Sequence, residues 1–238
     1  MIGLVVFFSA IMAGVIQTVT GFGSGIFMMM FFPSFFPLLN ASALSSSIGL
    51  MVSGGVAWRY HKYSQIKLTL FPAVFYILSS SAAISLGTVL PTVILKKIFG
   101  VFLILLSLYF LSENQNIRMK ATITAAIGCS TLSGLVGGLF GISGPPMVIY
   151  FLSVLDKKEE YLGTLQLFFF FTGIYSLLFR VYSGIYTEDL LIYSVIGFVG
   201  IFIGMQFGYK IVDKLDKDRM KKIIYIFLGI SGALNLVK

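Results

Sequence analysis

The sequence has 238 residues, 58% of them hydrophobic and 11% charged, and a mean hydropathy of +0.97. An average soluble domain is about 25% charged, and a fold in water could not bury this much apolar surface. The composition therefore excludes a water-soluble protein and predicts an all-α integral membrane protein. The net charge of +8 does not indicate nucleic acid as a partner, because the basic residues lie between apolar stretches, where they meet the headgroups of the lipid bilayer.

Apolar runs long enough to cross a bilayer follow one another along the chain. The first begins at the N-terminus, which lacks the basic n-region of a cleaved signal peptide, so we expect it to be retained as a helix. Short polar segments separate most of the runs, and we therefore expect a single transmembrane domain over residues 1–238. The runs predict about eight transmembrane helices, near residues 2–20, 41–58, 68–90, 98–112, 121–139, 161–179, 189–209 and 223–237.

Two glycine-rich segments interrupt this pattern. Gly21–Gly25 holds three glycines in five positions, and an apolar stretch with two prolines follows it. Gly141–Pro146 holds two glycines and two prolines, and a shorter apolar stretch follows it. Glycine and proline make a continuous helix costly at these positions. Each segment therefore predicts a helix break that is followed by a half-helix or a re-entrant segment.

The two breaks also mark an internal duplication. A shift of 120 residues aligns Gly21 with Gly141, and further matches follow in the same order with a slowly growing offset. The sequence therefore predicts two related halves, residues 1–118 and 119–238. Four crossings in each half would make the halves parallel, whereas an odd number would make them inverted. Both arrangements stay open, because each break could supply the odd element.

A helix break inside the bilayer exposes the amide groups at the start of the next helix, which can bind an anion together with the positive end of the helix dipole. Two breaks would place such sites face to face near the middle of the membrane. Nearby polar side chains could contact the substrate, or alternatively only a neighbouring helix. The candidate substrate-binding residues are Gln17, Thr20, Gly21, Gly23, Ser24, Gly25 and Ser46 in the first half, and Gly141, Ser143, Gly144, Pro145 and Gln166 in the second.

Arg59 and Arg180, which a shift of 121 residues aligns, each follow the second full span of their half. They are candidates for gates that attract an anion, or alternatively for anchors that reach the headgroups. No Asp, Glu, Lys, Arg or His occurs between residues 2 and 58. We therefore expect no catalytic dyad, no metal site and no cofactor, and we do not expect an enzyme.

The glycine-rich break after the first span, followed by an apolar stretch and an Ala/Ser-rich helix, resembles the sulfite exporter TauE/SafE family. Gly14–Gly25 and Ala41–Ser53 carry the resemblance, and Gly134–Pro146 repeats it. It covers essentially the whole chain, although the second break reads Gly-Ile-Ser-Gly-Pro-Pro where a richer glycine run is common. The resemblance implies a multi-pass transporter in the plasma membrane of a bacterium or archaeon that moves sulfite, sulfoacetate or a related small sulfur anion.

The leading hypothesis is thus a secondary transporter of a small anion that works by alternating access between its two halves. The alternatives are a non-transporting membrane assembly or partner protein and an anion channel. The direction of transport, the coupling ion (H⁺ or Na⁺), the orientation of the termini and the oligomeric state stay open.

Overall fold

A computed structural model describes residues 1–111, 122–216 and 219. These described residues form α-helices and short 3₁₀ turns and contain no strand, as the composition predicts. The 3₁₀ turns are Phe32–Ser34 and His61–Tyr63. The α-helices are α1 (Ile2–Thr20), α2 (Ser24–Met29), α3 (Leu38–Arg59), α4 (Ile66–Val89), α5 (Thr92–Leu111), α6 (Ile123–Phe140), α7 (Gly144–Val154), α8 (Lys158–Tyr182) and α9 (Glu188–Val212).

Among the described helices, α1, α3, α4, α6, α8 and α9 are long and apolar enough to cross a membrane. Large apolar side chains point away from the bundle along them; Phe8, Leu78 and Phe202 are each at least half exposed. Such surface is stable against lipid acyl chains but not in water. The chain is therefore a multi-pass membrane protein.

The predicted spans agree with these six helices to within a few residues. The predicted span at 98–112 is longer in the structure, because α5 already begins at Thr92 and includes the two lysines that the apolar run had excluded. The predicted span at 223–237 lies outside the described residues. The count of eight spans and the single domain over residues 1–238 stay predictions.

Glycine ends the helix that precedes each break. The Gly21 N–H donates to Gln17 O at 2.7 Å, with a φ of 84° that closes α1. The Gly141 N–H donates to Gly137 O at 2.9 Å, with a φ of 69° that closes α6. Only glycine adopts this left-handed conformation at little cost, which is why both helices end at these positions.

Helices α3 and α8 lie side by side and antiparallel, with the other spanning helices around them. Helices α1 and α9 run parallel to α3, whereas α4 and α6 run parallel to α8. Consequently α1 and α6, α3 and α8, and α4 and α9 run in opposite directions. Two contacts in each packed pair define these directions. They are Gly3–Ile196 and Thr18–Gly208 for α1 and α9, Ser47–Ser194 and Gly55–Met205 for α3 and α9, and Ser46–Arg180 and Tyr60–Gly163 for α3 and α8. For α4 and α8 they are Gln65–Thr164 and Ser81–Tyr175, and for α4 and α6 they are Tyr76–Gly134 and Ala83–Gly138.

Two helix pairs pack with their backbones almost in contact. A Cβ atom at Gly200 of α9 would lie 2.5 Å from Phe7 O of α1, and one at Gly138 of α6 would lie 2.7 Å from Ser80 O of α4. Small residues commonly mediate close helix packing in membranes. Each pair joins a helix from residues 1–118 to one from residues 119–238, so these two parts of the chain interlock.

Candidate functional site

The two glycine breaks meet in the interior of the bundle. Gly23 has a φ of 99° and lets the chain turn from the end of α1 into α2. A Cβ atom at Gly25 would lie 2.5 Å from Gly141 O, and one at Gly144 would lie 2.8 Å from the ring of Phe22. The backbones of the two breaks are therefore in direct contact.

A cavity of about 80 Å³ lies against these breaks, beside the middle of α3 and α8. A single water molecule needs roughly 10–15 Å³ of such space, so the cavity is large enough for a small polyatomic ion. No charged side chain of the described residues lines it. Its polar lining consists of Gln17, Ser24, Ser45, Ser46, Ser53 and Tyr76 from residues 1–111, and of Ser143, Thr172 and Ser176 from residues 122–216.

One of these lining hydroxyls is unpaired. Ser45 Oγ is buried and makes no hydrogen bond within the described part of the chain. A buried hydroxyl without a partner costs about 1–3 kcal/mol. Ser45 is therefore placed to bond a polar molecule in the cavity. Thr18 Oγ1 is unpaired as well, but it does not belong to the lining.

Two buried glutamine side chains join the first break to α8. Gln17 Nε2 donates to Gln166 Oε1 at 3.1 Å and to Ser53 Oγ at 3.0 Å. Ser24 Oγ donates to Gln17 Oε1. Gln166 Nε2 in turn donates to Gly21 O at 2.5 Å. Gln17 thus faces the cavity, whereas Gln166 lies behind it and holds both Gln17 and the break in place.

Hydroxyl groups dominate the second break. The Tyr76 hydroxyl lies 2.6 Å from Ser143 Oγ, and Ser133 Oγ donates to Ser143 O. Pro145 and Pro146 occupy the first turn of α7, where proline costs no helical hydrogen bond. They also remove two of the amide N–H groups that an anion site at a helix start would use. The second break therefore offers fewer backbone donors than a helix start without proline.

Arg180 is buried beside the second break, with 1% of its surface exposed. Its Nη2 donates to Gly137 O at 2.8 Å and to Gly138 O at 2.7 Å, and its Nη1 donates to Ser46 Oγ at 2.9 Å. These carbonyls belong to the last turn of α6, where the negative end of the helix dipole stabilises a cation. Because Ser46 and Gly137 line the cavity, the guanidinium lies one hydrogen bond away from it.

Arg59 has different surroundings at the end of α3. Its Nη2 donates to both carboxylate oxygens of Asp213, at 2.9 and 2.8 Å. Its guanidinium carbon lies 4.5 Å from the ring centre of Tyr209. The side chains of the ion pair are 42% and 52% exposed. The charge of Arg59 is therefore compensated at the surface of the bundle, and Arg59 does not line the cavity.

The model of the family described as sulfite exporter TauE/SafE matches residues 6–234. The chain belongs to the sulfite exporter TauE/SafE family. The comparison with curated proteins found no match, and neither did the comparison with solved structures. The family match covers nearly the whole chain, so both glycine breaks and the cavity lie within the TauE/SafE region. The resemblance of the glycine-rich segments to this family is confirmed.

Most of the predicted binding residues of this TauE/SafE protein line the cavity. These are Gln17, Gly23, Ser24, Gly25, Ser46, Gly141, Ser143 and Gly144. The other four, Thr20, Gly21, Pro145 and Gln166, lie outside the lining. Direct contact of any of them with a substrate stays a prediction, as do the gating roles of Arg59 and Arg180.

Several lining residues were not among the predicted binding residues. On α8 a four-residue spacing could have identified two of them, because it places side chains on one face of a helix. This spacing connects Thr172 and Ser176 with Arg180. Tyr76 of α4 carries no such pattern, since a single tyrosine in a span is ordinary.

Proposed function

We propose that this TauE/SafE protein is a secondary transporter of a small anion, a sulfur oxyanion or organosulfonate such as sulfite or sulfoacetate, which binds in the cavity between the two breaks. The chemistry of the cavity carries the proposal. Hydroxyl and amide groups line it, no described carboxylate does, and the Arg180 guanidinium lies one hydrogen bond away. Hydrogen-bond donors next to a guanidinium suit an oxyanion. Family membership supports the substrate class.

The directions of the helices support alternating access at this cavity. Corresponding helices of the two parts of the chain run in opposite directions, which is the arrangement of an inverted repeat. Because α1 and α3 are parallel, the segment that contains α2 must lead the chain back to the side on which α1 began. The segment that contains α7 does the same between α6 and α8. These segments supply the odd element that an inverted repeat needs, and movement of the two halves would open the cavity to each side in turn.

The test is a counterflow assay with purified protein in liposomes. Sulfite inside the vesicles should accelerate the uptake of labelled sulfite, and the uptake should saturate, because a carrier returns faster when it is loaded. Flux that neither saturates nor responds to internal sulfite would indicate an anion channel. A complete lack of flux for sulfite and organosulfonates would contradict transport and favour a partner protein. The same liposomes with an imposed H⁺ or Na⁺ gradient would identify the coupling ion. The proposed location of the protein is the plasma membrane of a bacterium or archaeon.

A pair of glycine variants ties the flux to the breaks. Leucine at Gly144 would drive its Cβ to 2.8 Å from the ring of Phe22, whereas a Cβ at Gly128 of α6 meets no atom within 4 Å. We expect Gly144→Leu to abolish flux while the protein still expresses, and Gly128→Leu to retain flux. Equal flux from both variants would contradict a site between the breaks.

A further inference from the structure

Arg180 is the only buried charged side chain among the described residues. Arginine stays protonated in proteins, so its positive charge persists inside the bundle. Its hydrogen-bond acceptors are two carbonyl oxygens and one hydroxyl, and none of them carries a full negative charge. A buried charge without an opposite charge is costly in a low-dielectric interior. The region around the cavity therefore has an excess of positive charge.

The aligned arginine adds nothing to this excess. Arg59 is paired with the carboxylate of Asp213 at the exposed end of α3. The shift of 121 residues that aligns the two arginines places Thr92 opposite Asp213. The second arginine accordingly has no carboxylate at the corresponding position. Among the described residues, one uncompensated charge thus lies beside the cavity and not two.

The charge of Arg180 is also close enough to act on a molecule in the cavity. Side chains on a helix point towards its N-terminus, so the guanidinium extends back from the end of α8 towards the middle of the bundle. It reaches Ser46 Oγ at 2.9 Å, and Ser46 lines the cavity. Ser176, one turn before Arg180 on α8, also lines the cavity. Coulombic attraction over a few Å is stronger in a protein interior than in bulk water.

We propose that Arg180 is a resident counter-charge and that the cavity selects a single monoanion over both a dianion and a neutral molecule. This inference rests on the proposed function. One negative charge beside Arg180 makes the region around the cavity neutral, whereas a dianion leaves a negative charge there and a neutral molecule leaves a positive one. The dipole of α6 already offsets part of the positive charge at Gly137 and Gly138, which disfavours a dianion further. Hydrogen sulfite and simple sulfonates are then preferred over doubly charged sulfite and sulfoacetate.

The test uses three probes that share a tetrahedral sulfur atom and differ in charge: methanesulfonate, sulfate and dimethyl sulfone. Each is titrated against the purified full-length protein while thermal unfolding is followed, because a ligand that binds the native state raises the unfolding midpoint. We expect methanesulfonate to bind at least about tenfold more tightly than either other probe. Each of the other probes differs from methanesulfonate by one unit of charge, which changes its interaction with Arg180 in a low-dielectric interior. Sulfate binding as tightly as methanesulfonate would overturn the inference, and so would a lack of methanesulfonate binding.

Variants then assign the preference to Arg180. Arg180→Gln should lower the ratio of the affinity for methanesulfonate to that for dimethyl sulfone at least about tenfold. Arg180→Lys keeps the positive charge and should keep this advantage of methanesulfonate. Arg59→Gln is the matched control and should also keep it. A preference that survives Arg180→Gln would overturn the assignment. If Arg180→Gln does not fold, the wild-type ranking of the probes and the lysine variant decide.

The liposome assay separates this inference from the proposed function. Sulfite flux together with a preference for sulfate would refute the counter-charge and leave anion transport intact. Absence of both flux and anion binding would refute the two together.

Discussion

Gly25 offers the most direct test of the contact between the two breaks. Its φ lies outside the left-handed region, so the backbone accepts alanine and any effect must come from the added methyl group. That methyl carbon would lie 2.5 Å from Gly141 O, and a backbone oxygen cannot move aside as the end of a side chain can. Overpacking of this kind costs about 1–3 kcal/mol, and the better helix propensity of alanine returns at most about 1 kcal/mol. We expect Gly25→Ala to lower the free energy of unfolding by up to about 2 kcal/mol.

The same variant should affect transport more strongly than stability. Separation of the breaks moves Ser24 and Gln17 relative to the opposite wall of the cavity, and a displacement of about 1 Å can cost two orders of magnitude in function. We therefore expect sulfite flux in liposomes to fall at least about tenfold. Gly128→Ala is the matched control, because its methyl group meets no atom within 4 Å. Wild-type flux together with an unchanged thermal midpoint for Gly25→Ala would refute the contact between the breaks.

Four further variants probe the surroundings of the cavity and the exposed ion pair. Gln166→Leu removes a buried amide that makes hydrogen bonds to the first break and to Gln17. Each buried group left without its partner costs about 1–3 kcal/mol, so sulfite flux should fall at least about tenfold. Undiminished flux would contradict this role of Gln166. Ser45→Ala removes an unpaired hydroxyl of the lining, so sulfite binding, read from thermal shift, should weaken while the midpoint without ligand does not fall. Thr18→Val removes an unpaired hydroxyl outside the lining and should leave sulfite binding unchanged. Asp213→Asn breaks the exposed pair with Arg59 and should change the free energy of unfolding by no more than about 1 kcal/mol; a larger loss in chemical denaturation would show that this pair is essential to the bundle.

Features that depend on local chemistry could be predicted from the sequence. A glycine that closes a helix with a positive φ acts within one turn, and both Gly21 and Gly141 do so. The spans likewise follow from runs of apolar residues, because the bilayer sets their length. The start of α5 was placed too late, since Lys96 and Lys97 interrupt the apolar run although lysine is compatible with a helix.

Features that depend on which helices meet could not be predicted. The sequence presents Arg59 and Arg180 as equivalent, yet one pairs with a carboxylate at the surface and the other binds carbonyls in the interior. Their different partners come from α9 and α6, helices that are remote in the sequence. Tyr76 joins the cavity for the same reason, because its position depends on the packing of α4 against α6.

The interlocked helix pairs have a consequence for the order in which the chain assembles. The backbone of α1 packs against α9, and α9 is synthesised long after α1. Contacts between segments so far apart in the sequence form late. Until α9 arrives, α1 has only lipid or another helix against the face that α9 covers. No residue of α9 lines the cavity, so a nascent chain that stops before α9 already contains the described lining, but its α1 is not yet held against the rest of the bundle by α9.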